Sequence, residues 1–124
     1  MFNKWDVWKY TSDDNCWEYV RQFLIIEAGI NPEDVPKFGI CPSNKREMTK
    51  ASIEVAKNFT ESNPVQFAVA CQFHGKLLIH VGIIDNGIVR HVGKTCGTKK
   101  ERISSFESKA QKTTYMLHRN ICQL

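Results

Sequence analysis

The sequence contains no Cys-x-x-Cys pair, no internal repeat and no low-complexity tract, and no apolar run near the ~20 residues a membrane span requires. Its first residues, Met1-Phe2-Asn3-Lys4-Trp5-Asp6, lack the basic-then-apolar pattern of a secretory signal. These gaps argue against a zinc ribbon, a thioredoxin-type redox motif, a solenoid and a membrane-spanning protein. The five cysteines (Cys16, Cys41, Cys71, Cys96 and Cys122) are odd in number and cannot all pair internally. The expectation is a reduced chain made in a cytoplasm, with no metal site and no cofactor. A substrate outside the cytoplasm would then require delivery by a phage particle, by lysis or by a secretion apparatus.

What is present is ordinary for one globular domain spanning residues 1–124. Hydrophobic residues make up 42% and charged residues 24%, and the net charge is only +4. A chain of this size should bury roughly two-thirds of its unfolded surface and needs no disulfide staple. The mild positive charge suits a polyanionic partner without choosing one. The basic residues Lys94, Lys99, Lys100, Arg102, Lys109, Lys112 and Arg119 form no nucleic-acid motif and lack interleaved aromatics, so a solvated face is expected and no nucleic acid.

Along the chain, an aromatic arm (Phe2, Trp5, Trp8, Tyr10) precedes the cap-forming cluster Thr11-Ser12-Asp13-Asp14. Apolar residues at Cys16, Val20, Phe23, Leu24 and Ile26 have helical spacing, which predicts a helix over 16–28 closed by Gly29. A loop with Pro32, Pro36 and Pro42 follows, then a second helix over 45–59. Alternation from Val65 to Phe73 predicts a strand, with His74-Gly75 as a turn and a second strand over 76–84. Asn86-Gly87 is a strong type I′ hairpin signal leading into a third strand over 88–92. A basic loop over 94–100 and a last strand over 113–117 complete the reading. Helices first and an antiparallel meander after make the class α+β.

The hairpin places Asp85 opposite Ile88, Gly82 opposite His91 and His80 opposite Gly93. His80 and His91 then project from one face as diagonal neighbours. With His74-Gly75 as the first turn, His80 lies opposite Val69, so the row Val65, Phe67, Val69, Cys71 shares that face, and helix 1 should cover it. Cys16 sits in the first turn of that helix, where the dipole and free N–H groups lower a thiol pKa. A thiol, an imidazole and a group that orients the imidazole are the parts of an activated nucleophile. On this reading Cys16 attacks a carbonyl, His80 takes the proton and His91 orients His80. The backbone N–H of Cys16 is an oxyanion donor, and Asn15, Trp17 and Tyr10 are candidates for oxyanion or substrate contacts.

The segment Asp14-Asn15-Cys16-Trp17-Glu18-Tyr19-Val20 resembles the nucleophile motif of NlpC-type cell-wall peptidases, closest to the phage form Asp-Cys-Trp-Gly-Leu-Val. The segment His80-Val81-Gly82-Ile83, a hairpin turn and then Val89-Arg90-His91 resemble the second motif. Asn15 and Glu18 depart from the family's usual Asp and Gly. The resemblance implies a papain-like fold, with the Cys-bearing N-terminal helix packed on a C-terminal antiparallel sheet. It also implies cofactor-free hydrolysis of amide bonds in peptidoglycan stem peptides by Cys16, His80 and His91. Phage tail proteins or a secretion apparatus would be the partners. A non-catalytic tail or assembly protein keeping the fold, or a basic binding module, is the alternative.

Overall fold

Residues 3–11, 15–37, 45–95 and 97–121 are described by the structure, a computed structural model. The Ser12–Asp14 stretch, Cys41, Pro42, Cys96 and Cys122 of the sequence reading lie outside the described residues.

Helix α1 (Cys16–Ile26) starts where Asn15 leaves extended backbone, and Asn15 Oδ1 accepts hydrogen bonds from the amides of Trp17 and Glu18. Its helical hydrogen bonding stops two residues short of the expected end. The chain reverses at Gly29 (φ +72), and the Ile30 amide bonds back to the Leu24 carbonyl at 3.1 Å. Tyr19, Val20 and Leu24 are wholly buried, each contributing about 1.5–3 kcal/mol of apolar burial. A short 3-10 turn at Pro32–Asp34 leads on to α2 (Lys45–Ala56).

The rest is one six-stranded sheet in the order β1-β6-β2-β3-β4-β5. The strands are β1 (Phe59–Ser62), β2 (Val69–His74), β3 (Leu77–Asp85), β4 (Ile88–Gly93), β5 (Gly97–Arg102) and β6 (Lys112–His118), all neighbours antiparallel. Between β5 and β6 lies α3 (Ile103–Glu107). The α+β class holds. Strand β1 and helix α3 were not read from the sequence, and the stretch read as a basic loop is mostly strand β5.

The two faces of the sheet are covered differently. Val69, Val81, Ile83 and Val92 pack with Cys16, Trp17, Tyr19 and Phe23 of α1 and with Met48 and Val55 of α2. Ala70, Ile84 and Val89, of opposite strand parity, pack on Phe106 of α3. The second hairpin has the expected register: Asn86 (φ +52) and Gly87 (φ +79) form the turn, and Asp85 pairs with Ile88.

The first hairpin differs. Its turn residues are Gly75 and Lys76, because His74 pairs with Leu77, and the register shifts again at a bulge between Gln72 and Phe73. Val69 therefore pairs with Ile83, not with His80, and His80 pairs with Gln72. The net slip is an odd number of residues, which turns every side chain of β3 to the opposite face relative to β2. The expectation that the Val69–Cys71 row shares a face with His80 under helix 1 is overturned. That row lies under the helices with Val81, while His80 stands on the α3 side.

Candidate functional site

The two imidazoles meet as the sequence reading required: His80 Nε2 and His91 Nδ1 are 2.9 Å apart. Gly82 makes this approach feasible. A Cβ there would stand 2.7 Å from Val89 Cγ1, 3.1 Å from the Arg90 carbonyl and 3.2 Å from His91 Cβ. Phe106 closes the pair from above, with its ring centroid 5.1 Å from His91 and 6.1 Å from His80. Gln72, the strand partner of His80, holds that aromatic in place by donating from Nε2 to the Phe106 carbonyl at 2.7 Å.

A further member was not read from the sequence. Glu101 on β5 places Oε2 2.8 Å from His91 Nε2, and Lys109 donates to its other oxygen. Burial alone would raise the Glu101 carboxyl, but the Lys109 and His91 donors outweigh it and hold the group below the usual carboxylate range. Reading 94–100 as a loop hid this residue. The signal was Gly93 and Gly97 flanking a tight connection, which pairs His91 with Lys99 and puts Glu101 one diagonal away.

This chain fixes the protons. An ionised carboxylate only accepts, so His91 carries its proton on Nε2. Burial lowers the His91 pKa despite Glu101, so the ring is neutral at pH 7 and its Nδ1 is a bare acceptor. His80 must then donate from Nε2, which leaves its Nδ1 as a lone pair. Burial, followed by the charges of His91 and Lys45, pushes the His80 pKa down to about 3. The ring is thus a neutral base at physiological pH.

Cys16 stands in the core on the helix-covered face, beside Cys71, and meets the sheet at Val81. The β3–β4 ladder among the described residues runs only from Asp85↔Ile88 to Ile83↔Arg90, while β4 continues beside β5 to Gly93. Ile84 uses its amide and carbonyl toward the β2 side, with Ala68 and Phe67. By alternation Ile79 and Val81 direct theirs toward the side β4 has left. There the Val81 amide points at Cys16 Sγ, and Lys45 Nζ donates to the Ile79 carbonyl at 2.9 Å. Helix α1 packs on both β3 and β4 where their ladder has ended. The sulfur lies beside the peptide that joins His80 to Val81. Among the described residues no hydrogen bond joins Sγ directly to either imidazole.

The expected depression of the Cys16 thiol pKa does not occur. Burial pushes it above the ordinary range, opposed by the Val81 amide, by the charge of Lys45 and by the amides of Trp17 and Cys16 itself. The helix-terminal contribution has the expected sign, but desolvation at 4% exposure is larger.

The remaining candidates separate. Asn15 Oδ1 is committed to the helix cap. Trp17 donates from Nε1 to the Pro36 carbonyl at 3.0 Å and lines a cavity described below. Tyr10 packs against the main core. Glu18 is buried, with its carboxylate held by Arg21 and Gln22. Among the described residues no cluster of His, Cys, Asp or Glu has the arrangement of a metal site, and no helix is long and apolar enough to cross a membrane. Comparison with protein-family models, with curated proteins and with solved structures finds no match.

Proposed function

We propose that this chain is a cysteine hydrolase of papain-like design in which Cys16 is the nucleophile, His80 the base, and His91 with Glu101 the group that orients the base. The observation that carries the reading is the continuous Lys109–Glu101–His91–His80 chain. It sets both tautomers and leaves His80 Nδ1 as the acceptor. A chain of this kind costs desolvation of two imidazoles and a carboxylate, and strongly perturbed titrating groups gathered in this way are found at functional sites.

In the resting site both partners are neutral. Proton transfer from sulfur to His80 Nδ1 therefore accompanies attack, as the C–S bond forms and the carbonyl oxygen gains charge. The Cys16 amide and the Lys45 ammonium stand on the side where that charge develops. Collapse expels the amine, which takes the proton from His80, and water hydrolyses the acyl-thioester with His80 again as base. On this reading the thiol-to-imidazole hydrogen bond forms when substrate is seated, since catalytic hydrogen bonds are often long in unliganded sites.

For the substrate we propose amide bonds of peptidoglycan stem peptides. The support is the spacing of Asn15-Cys16-Trp17 and His80-Val81-Gly82-Ile83, together with the second imidazole at His91. Delivery by a phage particle, by lysis or by a secretion apparatus, and phage tail proteins as partners, belong to the same proposal. The test is mass spectrometry of muropeptides after incubation with the protein. Cleavage by the wild type, lowered at least ~10³-fold in Cys16→Ala with its fold retained by circular dichroism, is the expected result. Intact muropeptides would overturn the substrate, and full activity of Cys16→Ala would overturn the mechanism.

A further inference from the structure

The helix-covered face of the sheet holds two free thiols, Cys16 at the start of α1 and Cys71 on β2. Val81 joins them. It pairs with Cys71 across β2 and β3, which puts the two side chains on one face with Cβ atoms about 5 Å apart. Its amide points at Cys16 Sγ. Burial, and after it the Cys16 sulfur, raise the Cys71 pKa, as expected of two sulfurs in one poorly solvated space. Cys71 is half-buried, and its thiol makes only a long contact, 3.8 Å, to the Val69 carbonyl. Beside it lies a cavity of about 130 Å³, lined also by Trp17 and Val81. Closing two sulfurs to ~2 Å requires at least one side chain to turn, and the cavity gives Cys71 that freedom.

We infer that Cys16 and Cys71 form a redox pair that closes to an intramolecular disulfide when a hydroperoxide oxidises the chain. Cys71 is the thiol reached first, because Cys16 is only 4% exposed. The Cys71 sulfur, as thiolate, takes the terminal oxygen of the hydroperoxide. The O–O bond breaks, an alcohol or water leaves with the thiol proton, and Cys71 becomes a sulfenic acid. The Cys16 sulfur then attacks the sulfenic sulfur. An S–S bond forms, the S–O bond breaks, and hydroxide leaves with the Cys16 proton as water. The two thiols together lose two electrons to the peroxide, and neither sulfur advances to the irreversible sulfinic acid. The inference goes beyond the hydrolase proposal and does not rest on it.

The experiment treats the folded full chain with hydrogen peroxide, unfolds it in N-ethylmaleimide to block the remaining thiols, and maps the peptides by mass spectrometry without reduction. The expected product is a Cys16–Cys71 cross-link within one chain, lost on adding dithiothreitol. In Cys16→Ala, or in Cys16→Ser where the alanine variant fails to fold, the Cys71 sulfenic acid has no thiol to meet and runs on to sulfinic acid. The Cys71 thiol recovered by dithiothreitol should then fall at least ~10-fold from the wild type. A cross-link chiefly to Cys41, Cys96 or Cys122, a link between two chains, thiols that stay unlinked, or sulfinic acid at Cys71 of the wild type overturns the inference. Muropeptide cleavage by the same samples separates the two proposals. A linked chain that still cleaves removes Cys16 as nucleophile and leaves the redox pair standing, whereas a chain that cleaves but never links does the reverse.

Discussion

Glu101 controls His80 without touching it, because a carboxylate in contact with one face of an imidazole decides which nitrogen of the next ring is bare. Replacing it with glutamine keeps the size but removes the obligatory acceptor, since the amide can turn its NH2 toward His91 and reverse both tautomers. Glu101→Gln should lower kcat by about 10–100-fold with KM nearly unchanged, measured by steady-state kinetics on the substrate established for the wild type. An unchanged kcat would show that the carboxylate does nothing beyond holding Lys109. At this scale the sequence was informative where geometry is local: the hairpin of Asn86-Gly87 brings His80 and His91 together as expected. Glu101 was not foreseen, because the stretch before it reads as a basic loop, and Lys45 was not, because it acts on Ile79 far along the chain.

Among the elements, the second hairpin was readable because Asn86-Gly87 accepts positive φ at both positions, which fixes the register of both histidines. The first was not. His74-Gly75 and Gly75-Lys76 are equally plausible turns on paper, and nothing in Gln72-Phe73 announces a bulge. An odd slip then put the histidines on the wrong face. The helix boundaries were close because capping is a short-range effect, although the cap is Asn15 and not a residue of the Thr11–Asp14 cluster; Gly29 reverses the chain at the other end. Strand β5 was hidden by its lysines, which sit at an exposed sheet edge where charge discourages pairing with other chains. Gly82 is the element-scale test. Gly82→Ala must displace Val89 or the β4 backbone, so it should destabilise by about 1–3 kcal/mol and lengthen the His80–His91 contact. Chemical denaturation measures the first, and imidazole ¹⁵N shifts the second. An alanine variant as stable as the wild type would mean that β3 and β4 separate at little cost.

For the molecule as a whole, two neutral histidines held in the fold make stability depend on pH. The unfolded chain binds a proton at an ordinary histidine near pH 6.5, whereas folded His80 does so only near about pH 3. Between these values the unfolded state carries more protons, so stability rises with pH and is lost as pH falls. His80 alone should remove about 1.5 kcal/mol between pH 6.5 and pH 5, and His91, shifted the same way, adds to it. Urea unfolding at a series of pH values should show this slope above the range where carboxylates titrate, and His80→Asn should flatten it. A wild-type curve level from pH 7 to pH 5 would mean that the imidazoles are solvated and titrate as they do in the unfolded chain.

The parting of β3 from β4 gives the sulfur a second employment. Where a strand would normally complete the ladder, the edge of β3 is finished by a thiol and an ammonium, so the Cys16 sulfur is a piece of scaffolding. An acylated Cys16 can no longer accept from Val81 in the same way. The chemical state of Cys16 is therefore written into the main chain beside His80, and any group placed on the sulfur would loosen that edge of the sheet.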